Sequence, residues 1–246
     1  MKNRIFSTDN PKASKAKDYG WLNAIHYMAP HSLAGVGDLC GNASPGCIKL
    51  CLGQHSGAAT YYPSVIQSRI AKARRFMKDR KAYMRDMVRA IGSAQRESAR
   101  HGLRLCVRPN GSTDLAFEAI RDGDGLTLCE RFPLEQFTDY TKSFKRALAH
   151  ARGLFPANYH LTFSRSETNE TQCLEILRAG GNVAVVFGDG LPETWNGFPV
   201  INGDAHDLRH LDPRGVVVGL SPKGNKAKRD KSGFVLRQHV ELRLAA

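Results

Sequence analysis

Three cysteines stand within twelve residues of one another in the segment Gly37-Asp-Leu-Cys40-Gly-Asn-Ala-Ser-Pro-Gly-Cys47-Ile-Lys-Leu-Cys51-Leu-Gly53. The Gly, Asn, Ser and Pro around them let a chain wrap until three thiolates converge. They also leave backbone N–H groups free to bond sulfur and tune a metal group. Soft thiolates select zinc, copper(I) or iron–sulfur centres. A structural zinc site prefers a closed set of four ligands on closely spaced pairs. Here the donors are an odd three, and neither gap, of six or of three residues, is the usual two-residue knuckle. Cys40, Cys47 and Cys51 therefore read as ligands of an iron–sulfur cluster, with zinc as the alternative. Cys106 or His55 is the candidate for a fourth position, which a small molecule could fill instead, or nothing. Cys129 and Cys173, in apolar surroundings, read as small buried hydrophobes.

Three further polar groupings fall near the ends of strand-like segments. They are Arg108/Asn110/Asp114, Ser164/Ser166/Glu167/Asn169 and Asp204/His206/Asp207/Arg209/Asp212. Carboxylates and a histidine so placed can do acid–base work or hold a hard cation. Each has a structural competitor: Asn110-Gly111 is a turn signal, Thr168 or Asn169 can cap a helix, and Asp212-Pro213 suits a turn. Arg108, Asn110, Asp114, Ser164, Glu167, Asn169, Asp204 and Asp207 are the candidates for a substrate pocket beside the cysteines.

The elements that must position these groups alternate. Leu22–Met28 is a short apolar segment just before the cysteine loop. Pro63–His101 has helical composition and spacing (Val65, Ile70, Phe76, Met84, Met87) and fits one helix or two broken near Lys78–Lys81. Pro63 suits a start and Gly102 a stop. Strand signals follow at Leu103–Arg108, Phe137–Asp139, Tyr159–Ser164, Asn182–Phe187, Pro199–Asn202 and Gly215–Leu220. Helix signals lie at Thr141–Gly153 and Asn169–Ala179. This alternation points to parallel α/β architecture. Leu103, Leu105 and Val107 oppose Arg104, Cys106 and Arg108; Leu161 and Phe163 oppose His160, Thr162, Ser164 and Ser166. One apolar and one polar face per strand suits a β/α TIM-like barrel with a hydrophilic interior, incomplete because six or seven strands are visible. Its site would lie at the strand C-terminal ends. Residues 1–20 read as a polar lead-in and 21–246 as one barrel domain.

With 246 residues, 41% hydrophobic and 24% charged, the chain is an ordinary globular one. No apolar run is long enough to span a bilayer and the N-terminus has no apolar signal core. A cytoplasmic location follows, where the six cysteines stay reduced or bind metal. The net charge of +13 and pI near 9.7 favour phosphate-rich partners. From Arg69 to Arg104 twelve basic residues face three acidic ones, and a second basic run, Lys223–Lys231, has loop composition. The first stretch is a candidate nucleic-acid surface, although no aromatics are interleaved for base stacking.

The cysteine segment Leu39–Leu52 resembles the signature of the bacteriophage gene product 88-like family. Similar blocks follow in the same order: Arg108–Asp114, Asp139–Lys142, Thr162–Asn169, Asn182–Phe187 and Gly203–Arg209 through Gly219–Gly224. Together they span about residues 22 to 235. The resemblance implies a phage protein, working in the host cytoplasm, with a cluster-bearing barrel. The loop position also resembles that of radical S-adenosylmethionine enzymes, whose cluster loop follows the first strand of a partial barrel. Those enzymes use a C-x3-C-x2-C spacing that this sequence lacks, and Arg108–Asp114 stands where a Gly-Gly-Glu-type segment would be. What this resemblance implies is a [4Fe–4S] cluster held by three cysteines with one open iron. It would serve electron transfer from an unidentified donor or radical-type chemistry, with S-adenosylmethionine as the further cofactor to test. The alternative function is a zinc-stabilised nucleic-acid-binding protein using residues 69–104.

Overall fold

The strand and helix signals assemble into one mixed sheet. The computed structural model describes residues 4–55 and 58–237. Strand β1 (Phe6–Ser7) pairs antiparallel with β2 (Trp21–His26), and α1 (Pro11–Lys15) lies between them in the chain. From β2 the sheet is wound strand by strand: β3 (Arg104–Arg108), β4 (Gln136–Thr141), β5 (Tyr159–Ser164) and β6 (Val183–Phe187) each lie parallel beside the one before. Between β2 and β3 come α2 (Pro45–Lys49), α3 (Leu52–His55), α4 (Ala58–Tyr61), α5 (Pro63–Lys78) and α6 (Arg80–Arg100). The later connections carry α7 (Leu128–Arg131), α8 (Phe144–Ala151) and α9 (Glu170–Arg178). The long basic stretch is thus two helices, parted at Asp79, whose side chain accepts from the Ala82 N–H and starts α6. Gly102, at φ 64°, supplies the left-handed residue that ends α6.

After β6 the order changes. The hairpin of β7 (Thr194–Trp195) and β8 (Phe198–Asn202) forms the far edge, and β9 (Val217–Leu220) inserts between β8 and β6. Val186 pairs with Leu220 on one side and with Val235 of β10 (Val235–Leu236) on the other. β10 therefore occupies the space that β5 leaves beyond Ser164. The helix α10 (Gly224–Lys228) sits between β9 and β10, where loop composition had been expected.

The expected barrel does not close. The sheet is an open path with β1 at one edge and β7 at the other, and each edge strand is antiparallel to its neighbour. The parallel strands on this path are β2 to β6 with β9 and β8; β10 is parallel too, but it lies off the path beside β6 and cannot join the two edges into the closed ring of a β/α barrel. A second cause is the β8–β9 connection. Instead of a helix on the outside, its short turn at Arg209–Leu211 packs against β4 and β5. Leu208 joins Ala16, Trp21 and Cys106 in one buried cluster, and His210 meets the Trp21 ring at 4.5 Å. This return segment covers the face that opposing barrel strands would otherwise share.

Strand faces follow the predicted alternation. Register places Leu22, Leu105, Val107, Phe137, Leu161 and Phe163 on the helix-covered face, where they pack with α6 residues such as Met84 and Met87 or with α8 and α9. The opposite face carries Asn23, Cys106, Arg108, Thr138, Tyr140, His160 and Thr162. At about 25 cal/mol per Å², the apolar face stabilises the fold, while the polar face has to be satisfied or hydrated. The N-terminal stretch contributes too: Ile5, Phe6, Ala13 and Ala16 are buried.

Candidate functional site

The cysteine segment leaves the C-terminal end of β2, the first parallel strand, and lies over the rim where the other parallel strands end. Its shape is set locally. Ser44 caps α2 by accepting from the Cys47 N–H at 3.2 Å, and Pro45 occupies the first helical position. At the other end the Arg69 guanidinium donates to the Gly53 carbonyl and lies over the Tyr27 ring. His31 adopts φ 38°, uncommon for a side-chain-bearing residue, and in that conformation its N–H donates to Cys40 Sγ at 3.2 Å.

Each following strand end reaches back to this loop. After β3, the Asp114 N–H donates to the Leu39 carbonyl at 2.9 Å and the Cys40 thiol points to the Ser112 carbonyl at 3.8 Å. After β4, the Lys142 ammonium donates to Ser164 Oγ at 2.9 Å and places a positive charge near Cys47. After β5, Glu167 clamps the start of α2: it accepts from Ser44 Oγ and from the Gly46 N–H, both at 2.7 Å. A Cβ on Gly46 would stand 2.7 to 2.9 Å from that carboxylate and would push the end of the Glu167 side chain aside.

The three thiols are half-buried; Cys40 senses Cys51 and Cys47, and Cys51 senses Cys47. Burial pushes Cys40 up to about 12; the His31 N–H opposes this, while the nearby Cys51, Asp114 and Cys47 reinforce it. Burial also raises Cys47, against the pull of Lys142, and Cys51, against the Gly53 and Gln54 N–H groups. Left to themselves these are neutral thiols at pH 7. A bound cation reverses that balance, because coordination strips the thiol proton outright. Among the described residues no group of three or more His, Cys, Asp and Glu side chains is placed to hold a metal ion. Iron–sulfur groups are held by cysteine thiolates. The donor set of three soft thiols with N–H groups on sulfur suits that chemistry.

The other candidates separate. Arg108 and Asp207 meet on the polar face at 2.5 Å, with the Arg108 guanidinium 4.7 Å from the centre of the Tyr140 ring. Both are buried, so they form a brace beneath the rim. Asn110 turns the other way, donating to Asp139 through its backbone at 2.8 Å and its amide at 2.7 Å. Asp114 accepts from Thr141, Lys142 and Arg146. Asn169 holds the turn before α9, accepting from Ser166 N–H and donating to the Ser164 carbonyl. Asp204 pairs with Lys223 at 2.8 Å. Glu167 and Asp114 thus touch the cysteine loop, Ser164 reaches it through Lys142, and Arg108, Asn110, Asn169, Asp204 and Asp207 do not. Cys106 sits on the polar face, 3.9 Å from His210 Nδ1, packed away from the loop. His55 stands beside Lys226, 3.3 Å from its ammonium. Cys129 and Cys173 are buried in the two main cores, as expected.

Sequence reasoning missed His31, Ser44, Arg69, Ser112 and Lys142 as parts of the site. Lys142 carried two signals, its place in the Asp139–Lys142 block of resemblance and its position just after a strand, but Phe137–Asp139 looked too short to put a strand end there.

Fold and site together define a class: an open, largely parallel α/β sheet with a thiol-rich loop seated on its C-terminal rim. The profile of the Gene product 88 family matches residues 4–238, and the chain belongs to this family, the one the ordered blocks had suggested. No curated protein and no solved structure matches it.

Proposed function

We propose that this protein is an iron–sulfur protein whose cluster is bound by Cys40, Cys47 and Cys51 on the rim of the sheet. The observation that carries the reading is convergence. Segments following three successive strands (Ser112 and Asp114, Lys142, Glu167) all contact or face one loop bearing three half-buried thiols. A [4Fe–4S] group held by three cysteines would keep one iron open. Bound there, it would supply electron transfer or radical-type chemistry, with adenosylmethionine as the cofactor to test. The chain's own residues would set the conditions. The His31, Gly53 and Gln54 N–H groups would stabilise negative sulfur, Lys142 would offset the charge at Cys47, and Glu167 would hold α2 in place.

Anaerobic purification followed by iron and sulfide analysis tests this. The expected protein is brown, absorbs broadly near 400 nm (a range set by the chemistry of such clusters), and loses iron when Cys40, Cys47 and Cys51 are all replaced by Ala. Colourless protein with one zinc per chain would overturn it. Cleavage of adenosylmethionine by the reduced protein would add the enzyme claim.

A second reading, nucleic-acid binding, is favoured by a separate observation. Arg85, Arg89, Arg96 and Arg100 are exposed on α6 at spacings of four and seven residues, forming a basic stripe. Its sign is binding that weakens steeply with added salt. Among the described residues no helix is long and apolar enough to cross a membrane.

A further inference from the structure

Beside the cysteine loop lies a cleft that the cluster reading leaves unused. It measures about 310 Å³ and is lined by Lys49, Leu50, Asn225, Lys226, Arg229 and Asp230. Lys49 and Leu50 belong to the run between Cys47 and Cys51, while Lys226 and Arg229 come from the α10 region on the far wall. Three cations from two separate elements therefore face one concavity, at the edge of the thiol site.

Their charge is not neutralised from within. The one carboxylate in the lining, Asp230, is turned into its own loop. It accepts from the Val235 N–H at 3.0 Å, the Ser232 N–H at 3.0 Å and Ser232 Oγ at 2.8 Å. Among the described residues neither Lys49, Lys226 nor Arg229 is in an ion pair, whereas the nearby Lys223 pairs with Asp204. The Lys226 ammonium stands 3.3 Å from His55 Nε2, which carries no negative charge to offset it. An arginine fork and two ammonium groups converging on a small pocket match the oxygens of a phosphate chain. The volume is that of a small-ligand site. A long nucleic acid would instead need an extended track, such as the stripe on α6.

We propose that this cleft binds a small phosphate-bearing ligand, of the pyrophosphate or nucleoside di- or triphosphate class, and holds it against the edge of the cysteine loop. The binding chemistry needs no metal, so it stands or falls separately from the cluster.

Titration calorimetry of inorganic pyrophosphate into the whole protein tests it, using the K226A/R229A double variant, Lys49→Glu, and Arg152→Ala just past the C-terminal end of α8 as a control away from the rim. The expected result is saturable binding to the wild type and to Arg152→Ala, weakened at least tenfold in the other two. Equal binding by all four proteins would overturn the proposal, as would loss of binding in Arg152→Ala as well. No pyrophosphate binding alongside tight binding of a single-stranded oligonucleotide would also overturn it, assigning the charge to nucleic acid. Iron is measured on the same samples. Pyrophosphate binding by iron-free wild-type protein would support the cleft while removing the cluster reading.

Discussion

The polar face of the sheet and the rim above its strand ends use much the same residues, yet they are built to opposite ends. On the polar face, Cys106, His160 and Arg108 are covered by the return segment between β8 and β9, which brings Asp207, Arg209 and His210 against them. Several buried groups there, including both amide atoms of Asn23, Thr138 Oγ1, Thr162 Oγ1 and His160 Nε2, have no protein partner among the described residues. On the rim, by contrast, Cys40, Cys47 and Cys51 stay half-exposed, the first two beside glycines, and the buried neighbours pin the loop's backbone more than its thiols. One thiol has been packed away and three left reachable. The difference separates a cysteine that serves the fold from cysteines available for chemistry.

The comparison can be broken most forcefully at the brace. Asp207→Ala leaves the buried Arg108 charge unpaired and should cost about 3–5 kcal/mol, the usual penalty for removing one partner of a buried pair. Urea unfolding measures it; a change below 1 kcal/mol (well under that range) would mean that the polar face is far wetter than its burial suggests. Acid should strike the same region next. Burial lowers His160 to about 3, and His150 and His210 to about 4, from an ordinary 6.5. Each stays neutral in the fold and gains a proton more readily when unfolded. Their stabilising contribution is therefore complete above pH 6.5 and is lost as pH falls from there, toward about 4 for His150 and His210 and toward about 3 for His160. Unfolding midpoints measured down that range should decline, and His160→Gln should flatten the decline.

At the rim the expected effects are smaller and local. Burial opposes ionisation of Glu167, but the Gly46 N–H, Ser44 hydroxyl and Lys142 outweigh it and hold the carboxylate below its ordinary 4.5. The clamp is thus present at neutral pH and is lost on acidification below that ordinary value. Glu167→Gln should cost on the order of 1–2 kcal/mol at neutral pH. It should raise hydrogen exchange at Gly46 and Cys47 while exchange in β5 is unchanged. Gly46→Ala, which crowds the flexible end of the same side chain, should cost about 1 kcal/mol or less and shift exchange in the same direction. If either variant loosened β5 as much as α2, the rim and the sheet would be one cooperative unit.

Much of this contrast was legible in the chain. Alternation separated Leu105 and Val107 from Cys106 and Arg108 correctly, because a strand's side chains point to alternate faces whatever its neighbours are. Tyr159–Ser164 was read to the residue, and Asp79 fell inside the expected break between two helices. What was hidden depended on distant pairings. The insertion of β9 between β6 and β8, and the return segment laid on the polar face, have no local signature. The two-residue strands β1, β7 and β10 are too short for any period. The Ser44–Glu167 clamp joins residues 123 apart, and nothing near either one announces the other. Cys106 looked free to turn toward the loop because only its strand face, and not what covers that face, can be read from sequence.

The central claim concerns which cysteines carry iron, and it is tested most directly by iron per chain in anaerobically purified Cys47→Ala and Cys106→Ala beside the wild type. The rim account predicts iron retained in Cys106→Ala and largely lost in Cys47→Ala. Loss in Cys106→Ala with retention in Cys47→Ala would move the metal to the polar face and contradict the account.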